Sequence, residues 1–377
     1  MGPQVRSGRK IHMVIEMGKH TPLVIGILIV CLLCAPVLAG LPDGNRMEQI
    51  GQRAAYTAMS DLGFTNGDYN VVVLTNAGRA IVDGQTTERA ISGITKISGL
   101  QNGDNTLWVV NRPEWKPLWF YFYDKKTGKG VYLEPDTSFY TKSNAEVSQV
   151  RFYDTFSRHV VVNGDLEKML ADTEVGNKTM KDLGGNSGVV AIANAWAHGA
   201  PYDMLSAVML HDHFCPGVSS GYILAKYVEE KMPITGGMSY VYISSPRWCK
   251  DDVFPILWDL TPGKGGHYIY DLSQEDQDGL TAYYGTRPAG IFIRWDSKAK
   301  SGHALLLGFK FDESTWTGPS WGEKPKKVLD MIENLQTPEK YVVVLEEFDV
   351  NESMLADLKD PAKNPYEVIG VICTTCK

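Results

Sequence analysis

Very little in this sequence suits a nucleic-acid binder or a disulfide-knotted protein. With 37 Lys and Arg against 44 Asp and Glu there is no basic surplus to neutralise phosphates, and no Lys/Arg stripe interleaves with aromatics. Nucleic acid is therefore not an expected partner. Cysteine is scarce: of six, Cys31 and Cys34 fall in the N-terminal apolar region, which leaves Cys215, Cys249, Cys373 and Cys376 for the body. Four thiols are too few for a disulfide scaffold, and a chain long enough for about two domains buries enough apolar surface to fold without one. A CxxCH attachment motif is missing, which argues against a haem or corrinoid carrier. The segment Gly263-Lys264-Gly265-Gly266 lacks both the following Ser/Thr and the spacing of a phosphate loop, so it reads as a hairpin-like loop.

The N-terminus has what the rest lacks. Arg6, Arg9, Lys10 and Lys19 precede the apolar run Leu23 to Leu33, and Ala35-Pro36-Val37-Leu38-Ala39 leads into the polar Gly40-Leu41-Pro42-Asp43. A basic flank, a short apolar core and small residues are the pattern of a secretory signal, with the cut expected after Ala39. The alternative is an uncleaved anchor, in which case this segment is the protein's only link to the membrane. Both readings place the body outside the cytosol, in the cell envelope or beyond it. There, thiols are either disulfide-bonded or protected by a metal.

The body alternates helix and strand patterns, and its second half repeats the first. Phe120-Tyr121-Phe122-Tyr123-Asp124 lines up with Phe292-Ile293-Arg294-Trp295-Asp296, each followed by a turn with glycine and a return strand. His159-Val160-Val161-Val162 leads to Met169-Leu170-Ala171-Asp172, as Tyr341-Val342-Val343-Val344 leads to Met354-Leu355-Ala356-Asp357. The expected fold class is α+β: two tandem, diverged copies of one unit, each with a mixed β-sheet and flanking helices, packed as a rigid body. The expected boundaries are 1–39 for the leader, 40–197 for the first copy and 198–377 for the second. In each copy the expected elements are an amphipathic helix (Met47 to Leu62; Pro216 to Lys231), a strand, a second helix (Glu88 to Ser98; Asp251 to Trp258), further strands, the Met-Leu-Ala-Asp helix and a last strand (Val189 to Ala193; Val368 to Ile372).

Only the second copy carries candidate chemistry. In His211-Asp212-His213-Phe214-Cys215-Pro216-Gly217, two imidazoles and a thiol at alternate positions share one face if the stretch is extended, beside the start of a helix at Pro216. A helix N-terminus lowers a thiol pKa, which suits a metal-bound or a reactive thiolate. Cys249, after the strand Tyr240 to Ser244, is expected near Cys215. The metal-ligand candidates are Cys215, His213, His211 and Cys249, with His198, Cys373 and Cys376 as weaker ones, and this N/S set favours zinc or another transition metal. His267 and His303 are weaker still. In the first copy, Asn45 aligns with His213, Met47 with Cys215 and Arg79 with Cys249, so the fold is expected to persist without the cluster. The terminal Cys373-Thr374-Thr375-Cys376 is a disulfide, a redox pair or two metal ligands.

His213-Phe214-Cys215-Pro216-Gly217, with Ser220-Gly221-Tyr222 behind it, resembles the His-X-Cys-Pro-Gly signature of the FmdE family, named for the formylmethanofuran dehydrogenase operon of methanogens. Cys249-Lys250-Asp251-Asp252 and Leu260-Thr261-Pro262-Gly263-Lys264-Gly265 resemble its second block. Where family members often carry a further Cys before that Thr, this chain has Leu260. The resemblance implies metal binding through Cys and His, an undefined biochemical role, and an archaeal setting; many members end in a paired-CxxC zinc ribbon, of which this chain has half. The formylmethanofuran dehydrogenase enzyme itself is cytoplasmic, which fits poorly with an exporting leader. The expected function is thus an exported metal-binding protein, with an unidentified small molecule as partner, and the alternative is thiol–disulfide exchange at Cys215 or the terminal CxxC.

Overall fold

Two five-stranded mixed sheets with the same strand order form the frame. The computed structural model describes residues 45–311 and 314–372, so the expectations for the leader and for Cys373 and Cys376 lie outside the described residues. From Asn45 onward the chain forms one compact unit. Among the described residues, no helix is long and apolar enough to cross a membrane.

In chain order the strands are β1 (Val71–Thr75), β2 (Ile81–Val82), β3 (Gln85–Thr86), β4 (Leu107–Val109), β5 (Phe120–Asp124), β6 (Lys129–Pro135), β7 (Phe156–Asn163), β8 (Met238–Ser244), β9 (His267–Ile269), β10 (Arg287–Asp296), β11 (Ser301–Phe309) and β12 (Val342–Asn351). The first sheet runs β4-β1-β5-β6-β7 and the second, from its corresponding edge, β9-β8-β10-β11-β12. In each, the β1–β4 or β8–β9 pair is parallel and the other three pairs are antiparallel. Even the hairpin turns agree: Asp124 Oδ1 accepts the N–H of Lys126, and Asp296 Oδ1 accepts that of Lys298, both at 2.8 Å. The fold is α+β with two similar units.

Alternation along the strands gives each sheet two apolar faces. On the first sheet, Val71, Val73, Phe120, Phe122, Val131 and Leu133 pack against the Arg46–Leu62 and Arg89–Ser98 helices. Their neighbours Val72, Leu74, Tyr121, Tyr123 and Tyr132 join a core that also holds Val190, Met204, Cys215, Val218, Val253 and Val328. That shared core crosses position 198, so the two sequence halves bury apolar surface in common. The Pro216–Lys231 helix reaches the second core through Ile223, Leu224, Tyr227 and Val228, which pack with Tyr242, Phe292 and Leu307 of the second sheet.

Three expected elements differ. Val189–Ala197 is a helix, buried almost throughout, and not the first copy's last strand; Pro365–Val368 is a short helix followed by a turn where the second copy's last strand was expected. Val189–Ala197 is a run of buried apolar residues and carries no period with which to tell strand from helix. The expected helix from Asp251 to Trp258 is a 3-10 turn, Cys249–Asp252, followed by a short helix, Phe254–Leu257. The Met-Leu-Ala-Asp segments are helical as expected and are capped by Asp165 and Asn351.

Candidate metal centre

Three segments meet at the start of the Pro216–Lys231 helix. The Tyr202–His211 helix stops at Asp212, which takes the left-handed conformation at φ 74°; Asp is one of the few residues besides Gly that visits it readily. The chain reverses there, so the stretch from His211 to Cys215 is a turn and not the extended segment that would have put both histidines on one face. Cys215 is the N-cap of the next helix, with Pro216 as its first residue. Cys249 comes from the end of β8 and opens the 3-10 turn.

Two glycines let these segments touch. A Cβ at Gly217 would lie 2.8 Å from Cys249 Cβ and 3.3 Å from its Sγ, and one at Gly221 would lie 2.4 Å from the carbonyl oxygen of Lys250. The first unit has the same device at Gly51, where a Cβ would fall 1.9 Å from the carbonyl oxygen of Ala90. Gly221→Ala is therefore expected to force the 3-10 turn off the helix and lower the thermal midpoint by several degrees, since overpacking of this kind costs about 1–3 kcal/mol. Calorimetry checks it; an unchanged midpoint would show that the turn yields freely.

One nitrogen or sulfur each from His211, Cys215 and Cys249 lies within 4.8 Å of the others. Both cysteines are free, Cys215 buried and Cys249 half-buried. Nδ1 of His211 donates to Asp252 Oδ2 at 2.7 Å, which leaves Nε2 on the thiol side, 3.9 Å from Cys215 Sγ. A carboxylate behind a ligating imidazole fixes its ring and tautomer. These three residues can hold a metal ion.

The thiols share charge unequally. Cys215 is lowered to about 6: the hydrogen bond from Cys249 and the backbone N–H groups of Val218 and Gly217 at the helix start outweigh burial, and Lys324 adds to them. Cys249 is raised to about 12, chiefly because its proton serves Cys215. Burial pulls His211 down, but Asp252 and Cys249 together raise it to about 9. The metal-free site at neutral pH thus holds one thiolate, one thiol and an imidazolium.

The other candidates are placed elsewhere. His213 bonds through Nδ1 to Asp212 Oδ1 at 2.8 Å and lies outside the three-residue group, although its ring centroid is 4.4 Å from that of His211. His198, exposed at a helix end, bonds to the carbonyl of Asn194. His303, on β11, pairs with Glu347 and Asp349 of β12. The Arg46–Leu62 helix is capped by Asn45, as the Pro216–Lys231 helix is by Cys215. Met47 is a buried core residue and Arg79 is exposed.

Several contributors went unmarked in the sequence. Asp252 sits in the Cys249-Lys250-Asp251-Asp252 block but reads there only as a helix start. Lys250 is wholly buried, its ammonium bonded to the Pro246 carbonyl (2.8 Å) and Asp251 Oδ1 (2.7 Å) and set over the Trp248 ring, which anchors the turn carrying Cys249. A cleft of about 380 Å³ borders His211 and Asp252; its other wall is Asn111, Arg112, Pro113 and Trp115 of the first unit. Arg112 pairs with Asp212 at 2.7 Å, and Trp115 is 76% exposed. The contacts of His211 with Asp252 and of Arg112 with Asp212 join residues 41 and 100 positions apart and leave no local signal.

The comparisons with known proteins bear on this same region. The family model described as "FmdE, Molybdenum formylmethanofuran dehydrogenase operon" matches residues 210–334, about a third of the chain, and that segment contains His211, His213, Cys215 and Cys249. No curated protein matches the chain in sequence.

Proposed function

We propose that this chain is an exported protein that binds zinc, or a similar transition metal, through Cys215, Cys249 and His211 and acts on a small molecule entering the cleft beside His211. The observation that carries this reading is the convergence of one imidazole and two thiol ligand atoms within 4.8 Å, two of them from the His211–Cys215 stretch and the third from Cys249, in a separate turn. Two sulfurs and a nitrogen match the borderline-soft preference of zinc and suit neither magnesium nor calcium. Among the described residues three ligands converge, and a site held by these three would leave a fourth position for substrate, the pattern of catalytic rather than structural zinc sites. Zinc so held supplies Lewis acidity to a carbonyl or similar group. The protein's own part is to hold the ligands: Asp252 orients the His211 ring, the helix start favours the Cys215 thiolate, and Arg112 and Trp115 offer a guanidinium and an indole face to whatever occupies the cleft. Export is supported by the basic, apolar and small-residue succession at the N-terminus. The common strand order of the two sheets supports a duplication in which only the second copy kept the ligands.

Thiol–disulfide exchange is the second reading, favoured by the free, adjacent Cys215 and Cys249 and the lowered pKa of Cys215. Metal analysis of protein purified without chelators, combined with a thiol count, separates the two. We expect about one zinc per chain, with Cys215 and Cys249 reacting with a thiol reagent only after chelation. Metal-free protein carrying a readily reduced Cys215–Cys249 disulfide would refute the metal reading and support exchange.

A further inference from the structure

We propose that the cavity between β9 and the end of the Glu352–Lys359 helix binds a small carboxylate with a short apolar body, at a site separate from the Cys/His cluster. The cavity, about 320 Å³, is walled by Ile243, Pro262, Tyr268, Ile269, Tyr270, Leu358 and Pro361, so most of its lining is apolar. Three polar side chains interrupt that lining: His267, Lys359 and Asp360.

His267 is 6% exposed, and its Nε2 is buried without a hydrogen-bond partner. A buried imidazole nitrogen left unpaired is costly, and such groups in native proteins ordinarily have a partner. Lys359 is half-buried and forms no ion pair among the described residues; its ammonium instead sits 5.3 Å from the centroid of the Tyr268 ring. An ammonium kept half out of water beside an aromatic face, and an unpaired imidazole lining the same cavity, make a pair of donors for one anionic group. Asp360 does not cancel that charge at close range, because its Oδ1 is turned to the backbone N–H of Ala362 at 2.9 Å.

The remaining walls set the rest of the ligand. Tyr268, Ile269 and Leu358 provide apolar contact for a chain of a few carbons or one ring. Phosphate chemistry fits less well. The neighbouring Pro262–Lys264 segment is a 3-10 turn closed by Thr261, it leads into β9 rather than into a helix, and Lys264 is occupied by Asp259.

Calorimetric titration of hexanoate into the full chain, with hexanol as the uncharged control, tests this. Hexanoate should bind at one site per chain and hexanol at least tenfold more weakly. Lys359→Met, which keeps the alkyl stem, and His267→Phe, which keeps a ring, should each weaken hexanoate at least tenfold, with the Lys359→Met variant still showing the wild-type thermal midpoint. No hexanoate binding, equal binding of hexanoate and hexanol, or unchanged hexanoate affinity in both variants would each overturn the proposal.

Discussion

Cys215→Ser should cut the affinity for zinc by roughly a hundredfold or more. Zinc bound by four protein ligands in small domains is worth roughly 10–16 kcal/mol, so one ligand accounts for about 3 kcal/mol, or about two orders of magnitude. His211→Ala should cost about as much. His213→Ala should cost far less, because its ring is held by Asp212 and lies outside the group formed by His211, Cys215 and Cys249. Asn45→Ser, at the equivalent helix cap of the first unit, should leave zinc binding unchanged while preserving the cap. Competition with a chromophoric chelator measures all four. A large loss with His213→Ala and a small one with His211→Ala would show that the ligand set had been misassigned between the two histidines.

Zinc affinity should also rise steeply with pH, by about a hundredfold per unit between pH 7 and 8. The sign follows from which groups hold protons before the metal arrives. Cys215, lowered to about 6, has already lost its proton; His211, raised to about 9, and Cys249, raised to about 12, still hold theirs. Binding in that range therefore releases about two protons, and below about pH 6 the Cys215 proton adds a third. The same shifts act on the metal-free fold. The stabilisation from the raised His211 is fully present below its unfolded pKa near 6.5 and is lost as pH rises through 9. That from the lowered Cys215 is fully present above 9.0 and is lost as pH falls through 6. Titration calorimetry in buffers of different ionisation enthalpy counts the protons released. A slope near zero would mean that the metal does not displace protons from these groups.

Much of the second unit was legible from residue order. The β10–β11 hairpin and its counterpart β5–β6 show in aromatic and β-branched runs broken by a turn, since strands of that kind have few other outlets for such residues. The Pro after Cys215 marked a helix start, whose backbone N–H groups lower the thiol pKa after the larger effect of the Cys249 hydrogen bond. Val189–Ala197 was not legible as a helix, because burial on all sides erases the period.

Residue order alone set the α+β class, the helix beginning at Pro216 and the presence of Cys215 with His211 and His213 in one stretch, because each depends on local propensity or on residue identity. Tertiary structure decided which histidine faces the thiols: a single left-handed residue, Asp212, turns the chain so that His211 is grouped with Cys215 and Cys249 and His213 is not. It also decided that Asp252 holds the imidazole and that Arg112 and Trp115 wall the cleft. Those contacts join segments distant in the chain, and the place of the thiols is set by how closely the Cys249–Asp252 turn approaches the Pro216–Lys231 helix at Gly217 and Gly221, a quantity fixed by packing and not by any local pattern.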